Sequence, residues 1–144
     1  MRIADILQHK GRDVKTVHAA QDVQSLAARL FTDKVGAMVV VDDRGAIEGI
    51  ISERDVVRGL ALHGNQLLAM PIRDLMTKTV ITCAPSDSVH SAANVMTQRR
   101  IRHLPVTENG KLTGMVSIGD VLHSRIDEIQ LEANVLRDYT IALR

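Results

Sequence analysis

The chain repeats itself, and that repetition restricts its possible folds more than any other property of its 144 residues. Residues 3 to 7 read IADIL and residues 72 to 76 read IRDLM, two short leaders with the same order of Ile, Asp and large apolar residues. An offset of 66 then pairs Val14-Lys15-Thr16-Val17 with Val80-Ile81-Thr82-Cys83, Val23 with Val89, Ser25 with Ser91, Val35 with Ile101 and Val40 with Val106. Beyond a turn the offset becomes 65, pairing Gly45 with Gly110, Gly49 with Gly114, Ser52 with Ser117 and Asp55 with Asp120. The one-residue change falls where VDDRG meets TENG, between two β-rich runs, where a hairpin absorbs a length change most easily.

Periodicity assigns the same elements to each half. Val23, Leu26, Ala27, Leu30 and Phe31 recur at helical spacing over 23–34, and Val89, Ala92, Ala93 and Met96 do so over 89–99. The runs AMVVVDD and IEGII flank Arg44-Gly45, and HLPVTE and LTGMVS flank Asn109-Gly110, a strong hairpin signal. Closing helices begin at Ser52 and Ser117, each opening Ser-x-x-Asp. Each half is therefore strand, helix, hairpin, helix, and the chain divides into residues 1–71 and 72–144. A unit of that size buries too little core to stand alone, so the halves are expected to pack together.

Composition narrows the function. A formal net charge of +1 argues against a dedicated nucleic-acid binder, and two aromatic residues, Phe31 and Tyr139, cannot build stacking platforms for single strands. No apolar run approaches the ~20 residues of a membrane helix. The N-terminal MRIADILQHKGRD carries charges throughout, unlike a signal peptide, so a cytoplasmic location is expected. The single Cys83 cannot form an internal disulfide and reads as a small buried apolar residue. The histidines lack metal-ligand spacing, so no metal is expected, and no nucleophile elbow, P-loop or G-x-G-x-x-G is present to carry a reaction.

In Gly49-Ile50-Ile51-Ser52-Glu53-Arg54-Asp55 and Gly114-Met115-Val116-Ser117-Ile118-Gly119-Asp120, a strand ends on a Ser at the helix N-cap. The helix start is an anion site by its free N–H groups and dipole, and an Asp one turn on can accept ribose hydroxyls. The same Ser-x-x-Asp is also close to a capping box, and both roles can hold together. A βαββα unit with leader I-x-D-h-h and Gly-h-h-Ser-x-x-Asp resembles a CBS domain, and two in tandem resemble a Bateman module, over roughly residues 3 to 125. The resemblance implies an α/β fold, a tandem CBS-domain pair whose two βαββα half-units are related by pseudo-twofold symmetry. It also implies an adenine nucleotide as ligand (AMP, ATP or NAD/NADH), with the Asp on the ribose and the Ser near the phosphate. By that resemblance site one comprises Thr16, Val17, Met38, Val39, Ser52, Arg54 and Asp55. Site two comprises Ile81, Thr82, Leu104, Pro105, Ser117 and Asp120.

Repeat two carries Arg99, Arg100, Arg102 and His103 where repeat one has Asp33, Lys34, Gly36 and Ala37. Arg102 and His103 precede the strand Leu104-Pro105-Val106, where side chains of the family often reach phosphates. The two sites are thus expected to differ, with Gly36 and Ala37 leaving room for a larger ligand in the first. Arg54, which faces Gly119 in the alignment, clamps a phosphate or pairs with Glu53 or Asp55. In the tail, Leu122, Ile126, Ile129, Ala133 and Leu136 are spaced 4, 3, 4 and 3, which suits a helix packed on another helix or one folded back on its own module. The resemblance implies a homodimer. The leading reading is a stand-alone regulatory module sensing adenine nucleotides for an unidentified effector protein. A dimerisation scaffold without ligand is the alternative, and a nucleic-acid-binding regulator a lesser one.

Overall fold

The computed structural model describes residues 1–143. The first repeat contains β1 (Thr16–Val17), α2 (Val23–Asp33), β2 (Ala37–Val41), β3 (Ile47–Ser52) and α3 (Glu53–His63), preceded by α1 (Ile3–Lys10). The second contains α4 (Val89–Arg99), β4 (His103–Glu108), β5 (Lys111–Ser117) and a long α5 (Ile118–Ala142). Two 3-10 turns, Gly64–Ala69 and Ile72–Asp74, join the halves.

The repeat reaches down to single backbone groups. Asp22 caps α2 by accepting the Ser25 N–H at 2.8 Å, and Ser88, 66 residues on, caps α4 by accepting the Ser91 N–H at 3.0 Å. Both helices end on a left-handed residue, Lys34 at φ 55° and Arg100 at φ 54°. The second hairpin turns tightly on Asn109 and Gly110, both at positive φ. The first uses a longer loop in which Asp42 Oδ1 accepts the N–H groups of Arg44 and Ala46, each at 2.9 Å.

The sheets are unequal. In repeat one β1 runs parallel to β2, which is antiparallel to β3. Repeat two has only the β4–β5 pair, and the expected strand at Val80–Cys83 is reduced to one parallel bridge between Cys83 and Val106. Cys83 donates to the Pro105 carbonyl at 3.0 Å and accepts from Thr107 at 2.9 Å. The next rung of a parallel ladder needs an N–H from residue 105, and proline has none.

The leaders are exchanged between repeats. Ile3, Ile6 and Leu7 of α1 lie in the core of the second repeat with Val89, Met96, Leu104, Val116 and Val121. Ile72, with Leu75 and Met76 beside it, completes the core of the first repeat with Val17, Leu26, Met38 and Ile51. Matching backbone bonds fasten both: Ile3 to Asp87 at 2.9 Å and Ile72 to Gln21 at 2.8 Å, with Val89 to Met1 and Val23 to Met70 each at 3.0 Å. Gly114 and Gly49 are small for the same reason. A Cβ on Gly114 would lie 2.7 Å from Leu7 Cδ2, and one on Gly49 would lie 2.8 Å from Met76 Sδ. The division at 71/72 drawn from the sequence therefore separates each leader from the core that it completes.

Because Leu7 is almost wholly buried, Leu7→Ala should cost about 2–5 kcal/mol in urea unfolding. Gly114→Ala alone should also destabilise. In the double variant the added methyl group fills part of the space vacated by Leu7, so the combined loss should fall short of the sum by at least about 0.5 kcal/mol. Strict additivity would show that Gly114 and the leader are not packed as described.

Candidate functional site

A cleft of about 400 Å³ opens between the repeats, within the range of about 300–1,000 Å³ typical of small-molecule sites. The α3 N-terminus contributes Ser52, Arg54, Asp55 and Arg58. The segment after the second leader contributes Thr77, Thr79 and Ile81, and the α4–β4 connection contributes Arg100, Arg102 and His103. Ser117, where β5 enters α5, closes the far side.

Local bonding decides which groups remain available. The Asp55 Oδ2 accepts the Ser52 N–H at 2.8 Å and the Ser52 hydroxyl at 3.2 Å, so half of this carboxylate is committed to the cap. Its Oδ1 has only Arg58 near it, at 3.8 Å. The first N–H of α3, that of Glu53, already donates to the Gly36 carbonyl at 2.9 Å. Positive charge in the cleft therefore comes chiefly from side chains. Four arginines face two carboxylates, Glu53 and Asp55, and among the described residues Arg54, Arg100 and Arg102 carry no ion pair.

The room expected above Gly36 is filled from two directions. A Cβ there would lie 2.9 Å from a Glu53 carboxylate oxygen and 3.3 Å from His103 Nε2. The cleft floor is thus where an acid from one repeat meets an imidazole from the other. Burial pushes His103 below the ordinary histidine range, and Lys10 and Arg102 push the same way against Glu53 and Asp120.

The equivalent position in repeat two is furnished differently. Lys10, at the end of the exchanged leader α1, donates to Asp120 Oδ2 at 2.7 Å and to the Met115 carbonyl at 3.0 Å. The Ser117 N–H donates to the same Asp120 oxygen at 2.8 Å, and the Ser117 hydroxyl accepts the Asp120 N–H at 3.1 Å. Burial alone would raise the Asp120 carboxyl, but the Lys10 bond and charge and the Ser117 donors hold it below the usual range. Thr79 stands where Lys10 stands, 69 residues on, in the register of the two leaders.

Of the residues expected from the sequence, the structure gathers Ser52, Arg54, Asp55, Ile81, Arg102, His103 and Ser117 into this one cleft. It leaves out the others. Val17, Met38, Val39, Leu104 and Pro105 are strand residues buried in the two cores, Thr16 is half-buried on β1, and Thr82 points to solvent. Asp120 is held by Lys10. Residues from both expected sites therefore line one cleft. Glu53, Arg58, Thr77, Thr79 and Arg100 were not among the expected residues. Arg58 was within reach of the sequence, since it follows Arg54 by four residues on one helical face. Burial and the Asp87 charge push the Cys83 thiol up to about 12, so it is inert at neutral pH. Among the described residues no group of His, Cys, Asp and Glu side chains is arranged to hold a metal ion, and no helix is long and apolar enough to cross a membrane.

The CBS-domain model matches residues 3–62 and 72–127. A mitochondrial CBS domain-containing protein of Arabidopsis thaliana, CBSX3, is 34% identical over 145 aligned residues, covering 95% of this chain and 70% of the relative. The crystal structure of a CBS-domain containing protein from Agrobacterium tumefaciens superposes with a TM-score of 0.85 at 40% identity, covering 87% of this chain and 99% of that one. A CBS domain protein from Pyrobaculum aerophilum, solved in complex with AMP, superposes with a TM-score of 0.79 at 27% identity, covering 92% and 99%.

The contact between Lys10 and Asp120 has its own signature. A carboxyl held low in the fold contributes stability above its unfolded value of about 3.9 and loses it as pH falls through the folded value. Water screens the pair at the exposed Lys10, so Lys10→Met should cost no more than about 1 kcal/mol at pH 7. In urea titrations this difference should shrink steadily below about pH 4. A difference independent of pH would mean that Lys10 acts through packing alone.

Proposed function

The chain belongs to the CBS-domain family, with both repeats of a pair present, and from that premise we propose that it is a regulatory module binding an adenine nucleotide with more than one phosphate. The observation that carries this reading is the meeting, in one cleft, of the half-free Asp55 carboxylate with Arg54, Arg58, Arg100, Arg102 and His103. Asp55 Oδ1 accepts a ribose hydroxyl. The arginines take the phosphates, for which planar, multiply donating guanidinium groups are suited. Ile50, Ile81 and Ile101 supply the apolar wall for the base. The AMP carried by the Pyrobaculum relative supports an adenosine ligand, and the excess of arginine favours ATP or ADP over AMP.

The ligand is held by groups of both repeats, so its binding bears on their relative setting. It acts as a signal to the extent that it binds one setting more tightly than another. One nucleotide binds per chain, because Lys10 keeps the Asp120 carboxylate occupied at the equivalent position.

Calorimetry and thermal melting against ATP, ADP, AMP, NAD, NADH and S-adenosylmethionine test this directly. ATP or ADP should bind with one site per chain, and at 100 times its dissociation constant should add about 2.7 kcal/mol of stability. Asp55→Asn and Arg102→Ala should each weaken binding at least tenfold, about 1.4 kcal/mol, and Asp120→Ala should leave it unchanged. If no nucleotide shifts the melting of protein shown to be purified empty, the chain is a scaffold without ligand. Two equal sites would refute the asymmetry.

A phosphate beside His103 must raise an imidazole that burial holds low in the free protein. Binding then takes up a proton, and affinity should increase as pH falls from about 8 to about 6, through the histidine range near 6.5. His103→Gln should flatten that dependence. An unchanged slope in the variant would place the phosphates away from His103.

A further inference from the structure

α5 continues well beyond the module on which it begins. Its first turns are anchored: Val121 and Ser124 are buried, and Glu128 accepts the N-terminal ammonium at 3.3 Å. From Ile129 to Leu143 every residue is exposed, including Ile129, Leu131, Val135, Leu136, Tyr139 and Leu143. An isolated helix of about 12–15 residues is marginal in water, so this segment needs a partner for its apolar side chains. It lies outside the family match, which ends at residue 127.

The exposed residues carry a heptad register. Leu122, Ile129, Leu136 and Leu143 fall at d, and Ile126, Ala133 and Thr140 fall at a, spaced 4, 3, 4, 3, 4 and 3. This seam lies about a third of a turn from the face that Val121 and Ser124 press onto the module, taking 3.6 residues per turn. Glu132 then occupies g and Arg137 the following e. These are the positions that face each other between two parallel, in-register helices. Among the described residues neither has an ion pair; Arg137 has only a 3.3 Å contact to Asn134. An antiparallel arrangement sets e against e and g against g. The e set is His123, Gln130 and Arg137, with no acid, and the one cation of the g set, Arg125, is already held by Glu128 at 2.9 Å.

We propose that α5 pairs with α5 of a second copy of this chain in a parallel, in-register, two-stranded coiled coil from Leu122 to Leu143. Two Glu132–Arg137 pairs flank the seam, and Ala133 and Thr140 at a keep the helices close. Leu131 and Val135 lie on the outer flanks and take no part.

Light scattering on the full chain at micromolar concentration should give twice the 15.8 kDa of one chain. Leu136→Glu should weaken association at least tenfold while the module's melting behaviour persists, since residue 136 is exposed in the single chain. Glu132→Arg should weaken it too, and adding Arg137→Glu should restore it. In a Cys83→Ala background, Leu136→Cys should form an intermolecular disulfide under mild oxidation, because parallel d positions lie side by side. A monomer, a tetramer, a dimer indifferent to Leu136→Glu, or the absence of that cross-link would each overturn the proposal.

Discussion

The reciprocal placement of the two leaders is the constraint on which the rest of this molecule depends. Each repeat owns two packing helices and a hairpin, yet its core stays open until the other repeat's leader is inserted. Ile3 and Leu7 close the second core, and Ile72 and Met76 close the first. The halves therefore cannot separate without exposing both cores, which is how two units of insufficient size become one stable body. The same insertion explains the two strand glycines at 49 and 114, whose bare backbones let Met76 and Leu7 approach.

Exchange of leaders also creates the cleft and makes it asymmetric. Whatever follows each leader is delivered to the other repeat's Ser-x-x-Asp turn. At Asp55 the delivered segment brings Thr77 and Thr79, small and uncharged, and leaves the carboxylate half free. At Asp120 it brings Lys10, whose ammonium donates to the carboxylate and satisfies it within the chain. The second difference adds to the first. Arg102 and His103 occupy the positions of Gly36 and Ala37, so both sets of cations converge on the Asp55 side.

The repeat, its helices, hairpins and the caps at Ser52 and Ser117 were legible because they depend on local spacing and on residue types with marked local preferences, such as Asn109-Gly110 at a turn and Ser at a helix start. The exchange was not. An offset shows that IADIL and IRDLM are equivalent, and equivalence is preserved whether each leader packs on its own repeat or on the other. The candidate ligand set was legible where it sat on helix starts and the basic run, at Ser52, Asp55, Arg102 and His103. Val17, Met38, Val39, Leu104 and Pro105 lie outside the cleft lining as buried strand residues, a burial set by pairing and packing that no single-strand pattern specifies. Thr79 and Lys10 carry no motif at all. Their importance comes from where the exchanged leaders end.

The cleft and the projecting helix are two ends of one rigid element. Ser117 and Ile118 border the cleft, and α5 runs from there through 25 residues, about 37 Å at 1.5 Å per residue. Small rotations at the origin of a continuous helix become displacements of several ångströms at its end. The first turns of α5 are fixed to the second repeat by Val121 and Ser124 and to the chain's N-terminus through Glu128. The cleft's arginines come from both repeats. On the reading proposed above, a ligand drawing Arg54 and Arg58 toward Arg100 and Arg102 would act across the joint at which α5 begins. Any change such a ligand made in the setting of the two halves would be carried outward by the helix that bears the unpartnered apolar seam.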